Sequence, residues 1–234
     1  MAFYFLKPSS MQKLARLFAL FSLLILAGCF DMTEEITLEK NGSGVYKGKI
    51  DISKAIETLR SFMPEDSLKN SKGLDTVGSI WKGIDSVPGI TEFKEAKEGD
   101  YVYTVRFRFA NMTALNAALN KNKMDKGKET QKDLFAFSPG SFARKDSTFD
   151  LAESMKGGDS ESMSDSAKEA MNMIKAFMGD IKVTQIYHFP GKISSYSNKA
   201  ATLSPDGKTL TLSVNVMDED PKVRSLSNLV KFKN

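Results

Sequence analysis

The chain has very little of what most enzymatic centres are made from. It holds one cysteine, one histidine and one tryptophan in 234 residues. A lone Cys and a lone His cannot build a Cys/His zinc site or an internal disulfide framework. A hydrolase of the Ser–His–acid type would have to use His188. There is no phosphate-binding glycine loop, dinucleotide-binding glycine run, Gly-x-Ser-x-Gly elbow or metal-spaced cluster. A membrane-spanning helix needs about 20 apolar residues, and the apolar run Leu17–Ala27 has 11, one of them Ser22. A strong excess of one charge is also missing, with 33 Lys+Arg against 29 Asp+Glu. The expectation is a protein with no catalytic residue, no metal and no cofactor.

Two polar features invite chemistry and have simpler readings. In Tyr187-His188-Phe189, the period of two puts His188 on one strand face with Ile186, and Tyr187 with Phe189 on the other. His188 therefore reads as a strand residue. The acidic run Asp218-Glu219-Asp220 offers oxygen ligands to a cation such as Ca²⁺. A solvated loop ending in a helix cap, Asp220 before Pro221, explains it better.

What is present begins with an address. Residues 1–16 carry Lys7, Lys13 and Arg16 and no acid, the run Leu17–Ala27 follows, and small residues close the segment. This is a secretory signal over residues 1–28. Leu26-Ala27-Gly28-Cys29 resembles the bacterial lipobox. That resemblance implies cleavage between Gly28 and Cys29, a diacylglycerol on the Cys29 thiol and acylation of the new amino terminus. Two or three acyl chains anchor stably where one is marginal. Met11 starts a more typical signal than Met1 does. The residue after Cys29 is Phe30, where an Asp would mark inner-membrane retention in enterobacteria, so the outer membrane is the expected destination. Without residues 1–28 the balance is 30 Lys+Arg against 29 Asp+Glu. Nucleic acid is thereby excluded as an expected partner, since phosphate binding needs a concentrated positive face.

The mature chain reads as a tether over residues 29–35 and one α+β domain over 36–234. Tyr46 to Ile52, Tyr101 to Phe109 and Leu210 to Val216 alternate apolar and polar residues, the mark of strands with one wet face. Each has a partner just before it across a turn: Ile36–Lys40 across Asn41-Gly42-Ser43-Gly44, Ile90–Ala96 across Glu98-Gly99-Asp100, and Ala200–Ser204 across Pro205-Asp206-Gly207. Each is followed by a capped helical segment: Lys54–Met63 after Ser53, Ala114–Asn120 after Asn111 or Thr113, and Val223–Val230 after Asp220-Pro221. The expected fold is an antiparallel sheet made of three β-hairpin–helix units, with the helices on one face. Leu74, Val77, Trp81 and Ile84 form a helical stripe ended by Val87-Pro88-Gly89. Phe135–Phe137 and Phe142–Thr148 form a further hairpin, and Ile181–Phe189 a further strand. Residues 120–132 and 153–164 lack apolar periodicity and read as mobile loops.

The aromatic and methionine content is the strongest candidate for a binding function, and ordinary core filling is its simpler reading. The sequence has 16 Phe, 6 Tyr and 12 Met. Met171, Ile174, Phe177 and Met178 share a helical stretch and are the candidate ligand contacts, because methionine adapts to varied apolar shapes. Asp66-Ser67-Leu68, Asp75-Thr76-Val77, Asp85-Ser86-Val87, Asp146-Ser147-Thr148 and Asp165-Ser166-Ala167 resemble the O-glycosylation acceptor of exported Bacteroidota proteins. That likeness makes Ser67, Thr76, Ser86, Ser147 and Ser166 candidate acceptors. Helix caps and Asx turns use the same dipeptide.

The run Phe189-Pro190-Gly191-Lys192-Ile193, then Ser197-Asn198, then Asp206-Gly207-Lys208-Thr209-Leu210-Thr211, resembles the LppM-like envelope lipoproteins. The last strand reads Leu212-Ser213-Val214, without the Trp associated with that pattern. The resemblance implies a lipid-anchored α+β domain that binds lipid or glycolipid and has no catalytic residues. The expected function is a non-enzymatic envelope lipoprotein, anchored in a membrane, whose domain binds an apolar ligand or an envelope component. The alternatives are a structural or assembly lipoprotein with a protein partner and, last, a carboxylate-dependent hydrolase.

Overall fold

In a computed structural model, the structure describes residues 30–61, 80–124, 133–145, 181–216, 218, 220 and 222–233. Strands β1 (Phe30–Leu38) and β2 (Gly44–Asp51) form the first hairpin. Its turn holds Gly42 at φ +83, and Asn41 Oδ1 accepts from the Ser43 amide at 3.0 Å. Such a left-handed residue favours glycine. Helix α1 (Ser53–Arg60) follows, buries Ile56, and starts where the Ser53 amide donates to Asp51 Oδ1 at 3.1 Å.

A single 3₁₀ turn (Ile84–Ser86) precedes the hairpin of β3 (Ile90–Glu98) and β4 (Val102–Phe109). Helix α2 (Met112–Met124) is capped by Asn111, whose Oδ1 accepts from the Ala114 amide at 2.9 Å. The chain then makes the short strands β5 (Phe135–Ser138) and β6 (Ser141–Arg144). It continues through β7 (Ile181–His188), β8 (Ile193–Tyr196), β9 (Thr202–Leu203), β10 (Thr209–Asn215) and β11 (Asn228–Phe232).

These strands form two sheets. The larger has seven in the order β3-β4-β2-β1-β7-β10-β9, and the smaller has four in the order β5-β6-β11-β8. Alternation along each strand of the larger sheet sends Ile36, Tyr46, Phe107, Val183, Tyr187 and Leu212 inward. The smaller sheet meets that face with Phe135, Phe142, Val230 and Phe232. Ring centroids of Phe142 lie 5.1 Å from Tyr187 and 5.8 Å from Phe189, and Phe189 lies 4.9 Å from Phe232. Each such ring contributes about 1.5–3 kcal/mol by leaving water.

The Phe189–Ile193 run is the crossing from one sheet to the other. A Cβ on Gly191 would lie 1.6 Å from the Lys233 carbonyl oxygen, and the Lys233 amide donates to the Lys192 carbonyl at 2.9 Å. Only glycine fits there. Asn198 then donates to the carbonyls of Ser225 and Ser227, both at 3.0 Å, fixing the segment that enters β11.

Several expectations are corrected. Residues 30–35 are not a tether: they are the first two-thirds of β1, held on both sides by β2 and β7. The sheet is mixed, because β1 and β7 run parallel from Phe30–Ile181 to Thr37–His188. The three-fold hairpin–helix unit does not hold. The stretch Val223–Val230 is no helix, and its C-terminal part is strand β11, since Leu226, Asn228, Val230 and Phe232 are buried at a period of two and β11 pairs with β6 and β8. The helices do not cover one face. A second sheet does so, with α2 wedged against β3, β4 and β5 and α1 against β1. Residues 120–124 belong to α2 and not to a loop, and Trp81 is buried just ahead of a 3₁₀ turn whose first residue, Ile84, is buried as well. The remainder of the 120–132 stretch, residues 153–164, the 1–28 signal segment and the stripe through Leu74 and Val77 lie outside the described residues.

Candidate functional site

The inner face of the larger sheet is apolar except at its middle. The parallel register sets Glu34 of β1 beside Gln185 of β7, and the antiparallel register sets Gly48 of β2 on the other side of Glu34. Glu34 is in phase with the buried Ile36 and Leu38 and the partly buried Met32, so the same pleat buries the acid too. From the facing sheet, the last residue of β6, Arg144, brings its guanidinium to Glu34, with Nη1 hydrogen-bonded to Oε1. Arg144 is 6% exposed and lies 5.1 Å over the Phe135 ring.

The surrounding groups close a network. Tyr187 donates its hydroxyl to Glu34 Oε1 at 2.9 Å. One orientation of the Gln185 amide satisfies its neighbours. Its oxygen accepts from Arg144 Nε at 2.7 Å, Nη1 at 3.1 Å and Nη2 at 3.3 Å, and its nitrogen donates to the Tyr187 hydroxyl at 3.1 Å. Burial opposes the charge on Arg144, but Glu34 and Tyr187 outweigh it and hold the guanidinium firmly protonated. Burial, then the charge of Glu34, pushes both the Tyr187 and the Tyr46 phenols well above the ordinary range. Buried ions of opposite sign are tolerated only when paired and hydrogen-bonded, and this pair meets both conditions.

A cleft of about 240 Å³ opens against this network. Met32, Ile50, Trp81, Ile84, Leu134 and Val183 form its apolar walls, and Glu34, Arg144 and Tyr46 add polar atoms. Phe30 and the half-exposed Ile80 complete the apolar lining. Gly48 makes room for the indole. A Cβ there would lie 3.1 Å from Trp81 Cζ2 and 3.0 Å from Val105 Cγ1. Asn116 fixes α2 to the same wall, its amide nitrogen donating to the Phe135 carbonyl at 2.8 Å and its oxygen accepting from the Phe135 amide at 2.9 Å.

The opposite face of the sheet is open and charged. His188 Nε2 lies 3.1 Å from Glu35 Oε1, and Nδ1 lies 3.0 Å from Thr209 Oγ1. Lys47 Nζ shares the same Glu35 oxygen at 3.1 Å. The imidazole thus ties β7 to β1 and β10 as a strand residue. Among the described residues no group of three or more His, Cys, Asp or Glu could hold a metal ion, and no helix is long and apolar enough to cross a membrane.

Of the residues singled out from sequence, Ser86 alone among the glycosylation candidates is described. It is exposed, its hydroxyl donates to the Gly83 carbonyl at 2.8 Å, and Lys121 Nζ hydrogen-bonds to it. Gly28, Cys29, Ser67, Thr76, Ser147, Ser166, Met171, Ile174, Phe177 and Met178 lie outside the described residues. The cleft's polar residues were not singled out from sequence. The signal was the phase of Met32-Thr33-Glu34-Glu35-Ile36-Thr37-Leu38, which places an acid on a buried face.

No family model and no curated protein matches the chain. The folded domain of LppM from Mycobacterium tuberculosis, solved by NMR, is similar over 90% of this chain and 94% of its own, at 12% identity and a TM-score of 0.43. A likeness that distant carries no argument about ligand, anchor or compartment.

Proposed function

We propose that this is a non-enzymatic, lipid-anchored lipoprotein of the cell envelope whose α+β domain holds an apolar or amphipathic molecule in the cleft over the inner face of its larger sheet. The cleft carries the reading: apolar walls, a few convergent polar atoms and a volume of about 240 Å³. Ligand pockets usually measure about 300–1,000 Å³, whereas about 150 Å³ of apolar cavity already holds benzene. This cleft therefore suits a single alkyl chain segment better than a whole diacyl lipid. Native mass spectrometry of the protein released from its membrane tests the reading. Ala118 of α2 also lines the cleft, and the expected result is a non-covalent apolar adduct that the cleft-filling change Ala118→Leu removes. A protein that carries no adduct and never takes up added alkane overturns it, and a single stoichiometric crosslinked protein in its place would support an assembly role.

The anchor rests on Leu26-Ala27-Gly28-Cys29, and Phe30 in place of Asp favours the outer membrane. Cys29→Ser is expected to abolish acyl-lipid labelling in cells, and undiminished labelling removes the anchor. Met171, Ile174, Phe177 and Met178 remain candidate ligand contacts on their spacing. The five Asp-[Ser/Thr] acceptors are checked by hexose-sized additions in the intact mass.

A further inference from the structure

The polar atoms of the cleft are unequally occupied. Arg144 gives Nη1 to Glu34, and Nε, Nη1 and Nη2 to the Gln185 oxygen. The Tyr187 hydroxyl donates to Glu34 and accepts from Gln185. Both described hydrogen bonds to Glu34, by contrast, end on Oε1. Glu34 lines the cleft with its side chain only 9% exposed. Its Oε2 accepts none of the described hydrogen bonds, on a residue that lines the cleft. The open valence of this site is thus an acceptor, and the arginine's charge is already matched by Glu34.

We propose that Glu34 Oε2 receives the head group of the bound molecule, so that the cleft selects single-chain amphiphiles whose head donates a hydrogen bond, an ammonium or a hydroxyl, over those ending in a carboxylate. This rests on the reading that the cleft takes an apolar ligand and names the chemistry of its polar end. A donor reaching Oε2 makes a charge-assisted hydrogen bond in a water-poor site. A carboxylate there meets the like charge of Glu34 directly, while Arg144 is already held by Glu34 and Gln185. A bare alkane leaves Oε2 unsatisfied but unopposed and ranks between the two.

The only tryptophan of the chain, Trp81, forms part of the wall and is 2% exposed, so its emission reports occupancy. The full chain in phosphatidylcholine nanodiscs is titrated with octylamine, octanol, octane and octanoate, and Ala118→Leu measured in parallel subtracts the effect of partition into the bilayer. Octylamine and octanol are expected to bind at least roughly tenfold more tightly than octanoate, the effect of one hydrogen bond to a charged group. Glu34→Gln is expected to erase the advantage of octylamine over octanoate. The series on the unaltered chain decides the matter even if that variant fails to fold. Octanoate binding as tightly as octylamine overturns the head-group proposal and leaves the cleft reading standing. A Trp81 emission that ignores all four compounds brings down both.

Discussion

Glu34 and Glu35 are neighbours in the chain and inhabit opposite worlds. Glu34 points between the sheets and shares one oxygen between Arg144 and Tyr187, with the partners 6% and 1% exposed. Glu35 points outward and shares one oxygen between Lys47 and His188, whose side chains are 50% and 36% exposed. The two acids have the same chemistry and the same kind of partner, a cation plus a second hydrogen-bonding group. What differs is water. On the outer face solvent screens the pair and competes for it, and such pairs contribute little. On the inner face no solvent replaces a lost partner, so the network's integrity matters far more than its net contribution.

The sharpest way to break this contrast is on the inside. Arg144→Met strands Glu34 in the core and is expected to lower unfolding stability by about 3–5 kcal/mol in chemical denaturation. The double change Glu34→Met with Arg144→Met should cost clearly less than the sum of the two single changes, because it leaves no unpaired ion. A strictly additive double change would remove the coupling described here. Asn116→Ala is next. It deletes both links between α2 and β5, leaves the Phe135 amide and carbonyl without those partners, and should cost about 1–3 kcal/mol. Amide exchange at Phe135 is expected to accelerate most. Smallest is Glu35→Gln, expected to change stability by no more than about 0.2–1 kcal/mol. A loss there as large as that of Arg144→Met would erase the distinction between the faces.

The strands were the legible part of the sequence. Tyr46 to Ile52, Tyr101 to Phe109 and Leu210 to Val216 alternate cleanly because one face is wet, and Gly42, Gly99 and Gly207 mark their turns at φ +83, +68 and +71. The cap of α2 was legible as Asn111 or Thr113, and Asn111 is the residue that caps it. The pairing of β1 with β7 was not, since a parallel register between Phe30 and Ile181 leaves no local trace in either segment. Strand β11 was missed because Asp220-Pro221 is a strong helix-start signal, while the alternation of Leu226, Asn228, Val230 and Phe232 includes a polar residue at a buried position. Asn228 is buried to serve the chain itself. Its Oδ1 accepts from the amides of Ser197 at 3.2 Å and Asn198 at 3.1 Å. The cleft was hidden for the same reason. Its central acid sits in a segment whose two glutamates look solvent-exposed until the parallel neighbour is known.

The early start of β1 has a mechanical meaning. Phe30 is already paired with Ile181 and already borders the cleft. One peptide unit, about 3.8 Å between α-carbons, therefore separates residue 29 from a residue that lines the cavity. For a protein held by a lipid on Cys29, that is a hinge pin and not a leash. With the proposed anchor in place, the Phe30 edge of the cleft would be held within one residue of the lipid.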